Sequence, residues 1–156
     1  MERGKIAVDA SVVVKWFVEE KYSKEALIIR DFFTEGLIDI VAPSLLYFEV
    51  LNALKYSGAF GEDELKKVAR ILEDYQFTLY ELEGAYAEKA IEIAMRKGIT
   101  IYDASYVALA LIEGADLYTA DEKLLTKTQD LEITKHLRNF NPMNLNSDRR
   151  NQRPIF

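Results

Sequence analysis

The chain has 156 residues, of which 49% are hydrophobic and 29% are charged, and its formal net charge at pH 7 is −6. This length fits one ordinary domain, and this composition is typical of a globular protein rather than of a disordered chain. The chain contains no cysteine and a single histidine, His136. Disulfides, thiolate zinc sites, cysteine nucleophiles and metal sites with several histidines are therefore excluded.

Charge is distributed unevenly along the chain. From Arg138 onward four arginines oppose one aspartate, whereas residues 1–137 carry a net charge of −9. We expect residues 1–140 to form the folded domain and residues 141–156, which are rich in Asn, Pro and Arg, to form a flexible basic tail. The longest apolar run, residues 106–112, is too short to span a bilayer, and residues 1–5 are too polar to begin a signal peptide. We therefore expect a cytoplasmic protein that does not bind a membrane.

The predicted elements alternate between strands and helices. A strand over residues 5–8 ends at Asp9 and leads into a short helix. Next come a helix over 23–35, a strand over 38–42, a helix over 44–56 with Pro43 in its first turn, a helix over 62–75, a strand over 77–82 and a helix over 85–97. Another helix runs from Asp103 to residue 112, and a strand over 117–119 precedes a short helix from Asp121.

This alternation predicts an α/β fold in three layers, α/β/α, with a central parallel sheet of four to five strands. The sheet has five strands if residues 131–134 form an additional strand at one of its edges. Ligands bind at the carboxyl ends of the strands in such sheets, near the point where the strand order reverses. Candidate functional residues are therefore those that directly follow strands.

Three aspartates lie at strand ends or helix starts. Asp9 follows the first strand, Asp121 comes two residues after the strand over 117–119, and Asp103 begins a helix so apolar that it must be buried on nearly all sides. Capping of the following helix is an alternative role for each of them, because an aspartate at a helix start satisfies free N–H groups. Each aspartate is thus a candidate ligand and a candidate cap.

Glu49 lies inside a predicted helix. The residues three and four positions away are Leu45, Leu46, Asn52 and Ala53, and we assign them to the apolar stripe, so that Glu49 and Asn52 face inward. A buried carboxylate is costly unless it is paired or binds a cation, and no lysine or arginine lies on this stripe. The alternative is a partly exposed glutamate at the edge of the stripe.

Four carboxylates without histidine or cysteine indicate a site for a hard divalent cation such as Mg²⁺ or Mn²⁺, which prefers oxygen ligands. Such a site can support phosphodiester hydrolysis by activated water. Ser11 stands where aspartyl phosphatases usually have a second aspartate, which counts against that class. The glycines form no phosphate-binding loop, and the late lysine of signal-receiver domains is not evident.

Four segments resemble motifs of the PIN domain family, most closely those of its VapC toxin branch. They are V-D-A-S-V-V-V-K-W-F (8–17), F-E-V-L-N-A-L (48–54), Y-D-A-S-Y-V-A-L-A (102–110) and Y-T-A-D-E-K-L (118–124). The resemblance covers about residues 5–135, and the basic tail lies outside it. It implies a Mg²⁺- or Mn²⁺-dependent endoribonuclease with RNA as substrate. It also implies a small antitoxin protein as partner and a homodimer.

The resemblance also assigns roles to individual residues. The catalytic and metal-binding residues that it implies are Asp9, Glu49, Asp103 and, at a more variable position, Asp121. The supporting residues that it implies are Ser11, Asn52 and Thr119. We expect Lys15 to be an exposed helix lysine and His136 to be a surface residue.

Two alternatives stay open. One is a PIN-like RNA-processing nuclease outside a toxin–antitoxin pair, and the other is a catalytically silent PIN-like scaffold that binds a partner or RNA. An acidic net charge taken alone argues against a nucleic-acid partner, because phosphate binding depends on lysine and arginine. Divalent cations held by the carboxylates would reverse that argument.

Overall fold

A computed structural model describes residues 3–143, so the predicted tail over 141–156 lies almost entirely outside the described residues. Within this range the strands and helices alternate in chain order as β1 (Gly4–Val8), α1 (Ala10–Val14), α2 (Ser23–Thr34), β2 (Ile38–Pro43), α3 (Leu45–Tyr56), α4 (Glu62–Tyr75), β3 (Thr78–Tyr80), α5 (Gly84–Lys97), α6 (Ile101–Glu113), β4 (Asp116–Thr119), α7 (Glu122–Thr128) and β5 (Thr134–His136). Short 3-10 turns at Gln129–Leu131 and Leu137–Asn139 flank β5.

The strands of this range form one parallel sheet of five strands in the order β3-β2-β1-β4-β5. The chain builds outward from β1 through β2 to β3 and then returns to the other side of β1 with β4. The strand order therefore reverses between β1 and β4, where this class of sheet places its ligands. The predicted α/β fold with a central parallel sheet and flanking helices is confirmed.

The sheet and α6 make up much of the core. Ile6, Ala7 and Val8 of β1 are all buried, as expected for a central parallel strand that is covered on both faces. Helix α6 packs across β1, β2 and β4, and α5 covers it from outside. Every residue from 104 to 110 is consequently buried, which explains why this helix is apolar all round.

No helix among residues 3–143 is long and apolar enough to cross a membrane. Helix α6, which is apolar all round, has 13 residues. At a rise of about 1.5 Å per residue it is about 20 Å long, short of a hydrocarbon layer of about 30 Å.

Two predicted boundaries are wrong for local reasons. Pro43 is the last residue of β2, paired in register with Tyr80, rather than part of the next helix. The ladder continues past it, because the backbone N–H of Ser44 donates to the Tyr80 carbonyl at 3.0 Å. The last strand is Thr134–His136 and not residues 131–134, because a 3-10 turn and the left-handed Glu132 (φ 62°) precede it.

Candidate active site

Asp9 lies at the switch point of the sheet, and hydroxyl groups hold both of its carboxylate oxygens. Ser11 donates to Oδ1 from its backbone N–H at 3.0 Å and from its hydroxyl at 2.5 Å. The Thr119 hydroxyl, at the end of β4, donates to Oδ2 at 2.5 Å. Ser11 and Thr119 in turn accept the backbone N–H groups of Ala120 and Asp121. The ends of β1 and β4 are thus connected through one buried carboxylate.

The environment of Asp9 disfavours its charged form. Burial raises the pKa of Asp9 to about 6, although the hydrogen bonds from Ser11 and Thr119 act in the opposite direction. The negative charge of Asp103 adds to the increase in pKa. A nearby cation would hold this group ionised.

Glu49 is half-buried on α3, and its carboxylate is bound by a residue that the sequence reasoning missed. The hydroxyl of Tyr106, on α6, donates to Oε1 of Glu49 at 2.6 Å. Burial raises the pKa of Glu49, the Tyr106 hydrogen bond opposes that effect, and the charge of Asp103 reinforces it. Two signals could have indicated Tyr106. It lies three residues after Asp103 on one helix, and a buried tyrosine hydroxyl usually has a partner.

The inward assignment of Asn52 is wrong, because its side chain is exposed. The buried stripe of α3 consists of Leu46, Val50 and Leu54, which follow one another at intervals of four residues. Asn52 lies two residues from Val50, about 200° around a helix of 3.6 residues per turn, and so faces away from the core. Glu49 lies at the edge of the stripe.

Asp103 is the third residue of α6, and it does not cap that helix. Thr100 is the cap, and its hydroxyl oxygen accepts the Asp103 backbone N–H at 3.0 Å. The Asp103 carboxylate is therefore available for another role. Burial raises the pKa of Asp103, and so does the charge of Asp121, while Thr100 and Lys127 lower it. Asp103 interacts electrostatically with Asp9, Glu49 and Asp121 and so connects all four carboxylates.

Asp121 does cap a helix. Its Oδ1 accepts the backbone N–H groups of Lys123 and Leu124 at 3.0 and 3.3 Å, at the start of α7. The predicted capping role is confirmed, and the charge of the same carboxylate also acts on Asp103, whose pKa it raises.

The donor set suits a hard divalent cation, because it consists of carboxylate and hydroxyl oxygens with unneutralised negative charge. Among residues 3–143, however, no three acidic or histidine side chains lie close enough together to enclose one ion. The four carboxylates interact pairwise through Asp103. They interact at one end of the sheet without forming a closed ligand cage.

An apolar cavity of about 230 Å³ lies between α3 and α6. Its lining includes Phe48 and Tyr102, the residues that precede Glu49 and Asp103, and both are largely exposed. None of the four carboxylates lines this cavity, so it is related to them only through these two neighbouring residues.

Lys15 and His136, predicted to be exposed, are buried. Lys15 is 8% exposed, and its Nζ donates to Oε1 of Glu20 at 2.8 Å. His136 is 3% exposed, because its ring lies against Tyr22 in the segment between α1 and α2. Glu20 and Tyr22 both lie in this segment, and local periodicity could not predict these two contacts.

The fold and the acidic switch point define an α/β protein with a carboxylate site at the end of a parallel sheet. The PIN domain model matches residues 6–130, and the chain belongs to the PIN domain family. It is 33% identical over 129 residues to Ribonuclease VapC3 from Pyrobaculum aerophilum, an alignment that covers 79% of this chain and 94% of the relative.

Solved structures share the fold. The crystal structure of PAE2754 from Pyrobaculum aerophilum matches with a TM-score of 0.61 and 25% identity, over 94% of this chain and 99% of that one. A toxin–antitoxin complex from Klebsiella pneumoniae matches with a TM-score of 0.60 and 15% identity, over 85% and 97% of the two chains. The latter likeness is one of fold alone.

Proposed function

We propose that this protein is a metal-dependent endoribonuclease and the toxin component of a VapBC-type toxin–antitoxin pair. The observation that carries the proposal is the set of carboxylates Asp9, Glu49, Asp103 and Asp121, which interact through Asp103 at the switch point of the sheet. Membership of the PIN domain family and similarity to a relative named as a ribonuclease support it.

In this proposal the four carboxylates would hold Mg²⁺ or Mn²⁺. When bound, the ion supplies a Lewis acid for phosphate oxygens and lowers the pKa of a water molecule. The chain itself keeps the ligands oriented. Ser11 and Thr119 fix Asp9, and Tyr106 fixes Glu49. Because Asn52 is exposed, the supporting role that we propose for it is a contact with the substrate.

The proposal extends to the partners of the protein. The solved toxin–antitoxin complex supports a small antitoxin protein as partner, and the exposed apolar side chains beside the site, Phe48 and Tyr102, are typical of a protein-binding surface. A homodimer and a cytoplasmic location complete the proposal.

The test is cleavage of labelled RNA by purified protein in Mn²⁺, in Mg²⁺ and in chelator. We expect cleavage with the metals only, and its loss in Asp9→Asn and Asp103→Asn. Asp39→Asn is a matched control, because Asp39 lies toward the amino end of β2 and pairs with Arg3. A circular RNA that is opened to a linear product establishes endonucleolytic cleavage.

Two results would contradict the proposal. Equal cleavage by the wild type and Asp9→Asn would show that the carboxylate site is not responsible. Binding of RNA without cleavage in any divalent ion would favour the silent scaffold. The toxin role is tested separately by growth arrest on expression and its relief by an antitoxin encoded beside the gene.

A further inference from the structure

A second group of polar side chains lies one strand away from Asp9. We define the β5 basic cluster as Lys21, Tyr22, His136 and Arg138. His136 pairs in register with Thr119, whose hydroxyl binds Asp9. Because neighbouring strands are about 4.8 Å apart, the cluster adjoins the carboxylate site at the same end of the sheet.

The histidine of this cluster is a buried donor without an acceptor. Its Nδ1 accepts the backbone N–H of Arg138 at 2.9 Å, so the neutral ring carries its proton on Nε2. Burial, reinforced by the charge of Arg138, lowers the pKa of His136 and keeps the ring neutral. Within residues 3–143, Nε2 has no hydrogen-bond partner. A buried N–H group without an acceptor is stabilised when an acceptor oxygen comes within hydrogen-bond distance of it.

An anionic oxygen already lies nearby. Oε1 of Glu122 is 3.5 Å from His136 Nε2 and 3.5 Å from Arg138 Nη1. Both distances exceed the 2.7–3.2 Å that is usual for an N–H···O bond. The Glu122 side chain is 70% exposed and can move away. The space between the imidazole and the guanidinium therefore suits an anion and is only loosely filled by the chain's own carboxylate.

Tyr22 connects the other members of the cluster. Its ring packs edge-on against His136 with centroids 4.8 Å apart, and Lys21 Nζ lies 5.1 Å from the Tyr22 centroid. Interaction of its hydroxyl with Arg138 is the main cause that lowers the pKa of Tyr22, and Lys21 acts in the same direction. Tyr22 adopts left-handed backbone geometry (φ 70°), which is uncommon for an aromatic residue. The chain thus holds this ring in a strained position against the histidine.

We propose that the β5 basic cluster binds a backbone phosphate of the RNA substrate, beside the phosphodiester that the carboxylates would hold. This rests on the proposed function. Lys21 and Arg138 supply permanent positive charge, and His136 Nε2 supplies a directed N–H. Phosphate oxygens accept several such bonds at once, and Glu122 is displaced when they do. The cluster provides local positive charge in a folded domain that is acidic as a whole.

The first test is binding of a mixed-sequence, fluorescein-labelled single-stranded RNA, measured by anisotropy in the Asp9→Asn background so that no cleavage intervenes. The double variant Lys21→Gln/Arg138→Gln should raise Kd about tenfold, as expected for lost charge-assisted bonds. It should also reduce the slope of log K against log salt by about 0.7, the value for one phosphate on a single strand. In the cleaving protein the same variant should raise KM and leave kcat unchanged.

A charge-matched control is Arg3→Gln/Lys5→Gln. These residues lie at the opposite end of β1 from Asp9 and pair with Asp39 and Glu113. The control variant should bind RNA as its parent does. If the two double variants give the same Kd and salt slope, the phosphate subsite is wrong.

The second test uses the fact that the chain has a single histidine. In ¹⁵N-labelled protein the Nε2 resonance of His136 should shift when RNA is added, and Lys21→Gln/Arg138→Gln should abolish the shift. RNA binding without any change at Nε2 would overturn the subsite. Both measurements detect binding of RNA rather than its cleavage. The proposed function is refuted by a different observation, which is failure of the protein to cut RNA.

Discussion

The hydroxyl of Tyr106 donates a hydrogen bond to Oε1 of Glu49 at 2.6 Å and thereby joins α6 to α3. Tyr106 is 1% exposed, and burial together with the charge of Glu49 strongly raises its pKa, so it remains a donor at neutral pH. The bond fixes the orientation of a carboxylate that is otherwise only half-buried. Tyr106 is thus a positioning residue for the proposed metal site.

We predict that Tyr106→Phe weakens Mn²⁺ binding and RNA cleavage by about tenfold, the lower end of the range for lost outer-sphere partners of metal ligands. The free energy of unfolding should fall by about 1 kcal/mol, as for one hydrogen bond. Calorimetric titration with Mn²⁺, cleavage rates and urea denaturation measure these effects. Tyr86→Phe is the matched control, because Tyr86 donates to the Ser105 carbonyl instead of to a carboxylate. Equal metal affinity in both variants would contradict the positioning role.

The raised pKa of Asp9 predicts that the stability of the metal-free protein depends on pH. Its pKa is raised from 3.8 to about 6, so the folded state binds the proton more tightly than the unfolded state between these values. The free energy of unfolding should therefore fall as pH rises through this window, by about 3 kcal/mol at 1.36 kcal/mol per pKa unit. Burial raises the pKa values of Glu49 and Asp103 too, and they contribute with the same sign.

Urea denaturation in chelator at pH 4 and pH 7 measures this dependence. Asp9→Asn should be the more stable protein at pH 7 and should show a much smaller change between the two pH values. Saturating Mn²⁺ should remove most of the difference in the wild type. An unchanged pH dependence in Asp9→Asn would show that the burial of Asp9 is not its cause.

Asp121 has two roles that substitution can separate. Asp121→Asn keeps an oxygen that can accept the Lys123 and Leu124 N–H groups, whereas Asp121→Ala removes the cap and should cost about 1 kcal/mol of unfolding free energy. Both variants remove the charge and should lose metal-dependent cleavage. Denaturation curves and cleavage assays on the same preparations test this. Full activity in Asp121→Asn would leave the residue with its capping role alone.

Lys15 and Glu20 form an ion pair with one buried member. Glu20→Ala leaves the Lys15 ammonium buried without this partner, and we expect a loss of about 2 kcal/mol, reduced from the value for fully buried pairs because Glu20 is 43% exposed. Glu19→Ala, at the exposed neighbouring residue, should have little effect. Adding Lys15→Met to Glu20→Ala should restore stability. If it does not, the loss comes from something other than the unpaired charge.

The elements that the sequence predicts well are those with a strong local pattern. Helix α4 has the predicted limits because its apolar spacing is clear, and Asp9 and Asp121 follow buried strands as expected. A parallel sheet followed from the alternation of elements, and its carboxyl ends indicated where acidic residues would meet.

The errors concern properties that depend on tertiary contacts. Lys15 is buried where it pairs with Glu20, and His136 is buried against Tyr22; both partners lie in the segment between α1 and α2, which has no periodic pattern. The partner of Glu49 is 57 residues away along the chain. The spacing from Glu49 predicts that Asn52 faces inward, yet the buried stripe of α3 is centred on Val50. The spacing of apolar residues along the chain limits which faces of a helix can pack against the core. It does not determine which of these faces is buried in the folded protein.

The order of the strands also affects when a nascent chain can become active. Strand β4 is made after β1, β2 and β3 but inserts beside β1, and Thr119 then completes the hydrogen bonds to Asp9. A ribosome-bound chain that has not yet extruded β4 contains Asp9 and Glu49 but not their full surroundings. We expect such a chain to be inert in the proposed reaction. In the proposed function, competence to cut RNA therefore requires that β4 has been made and has inserted beside β1.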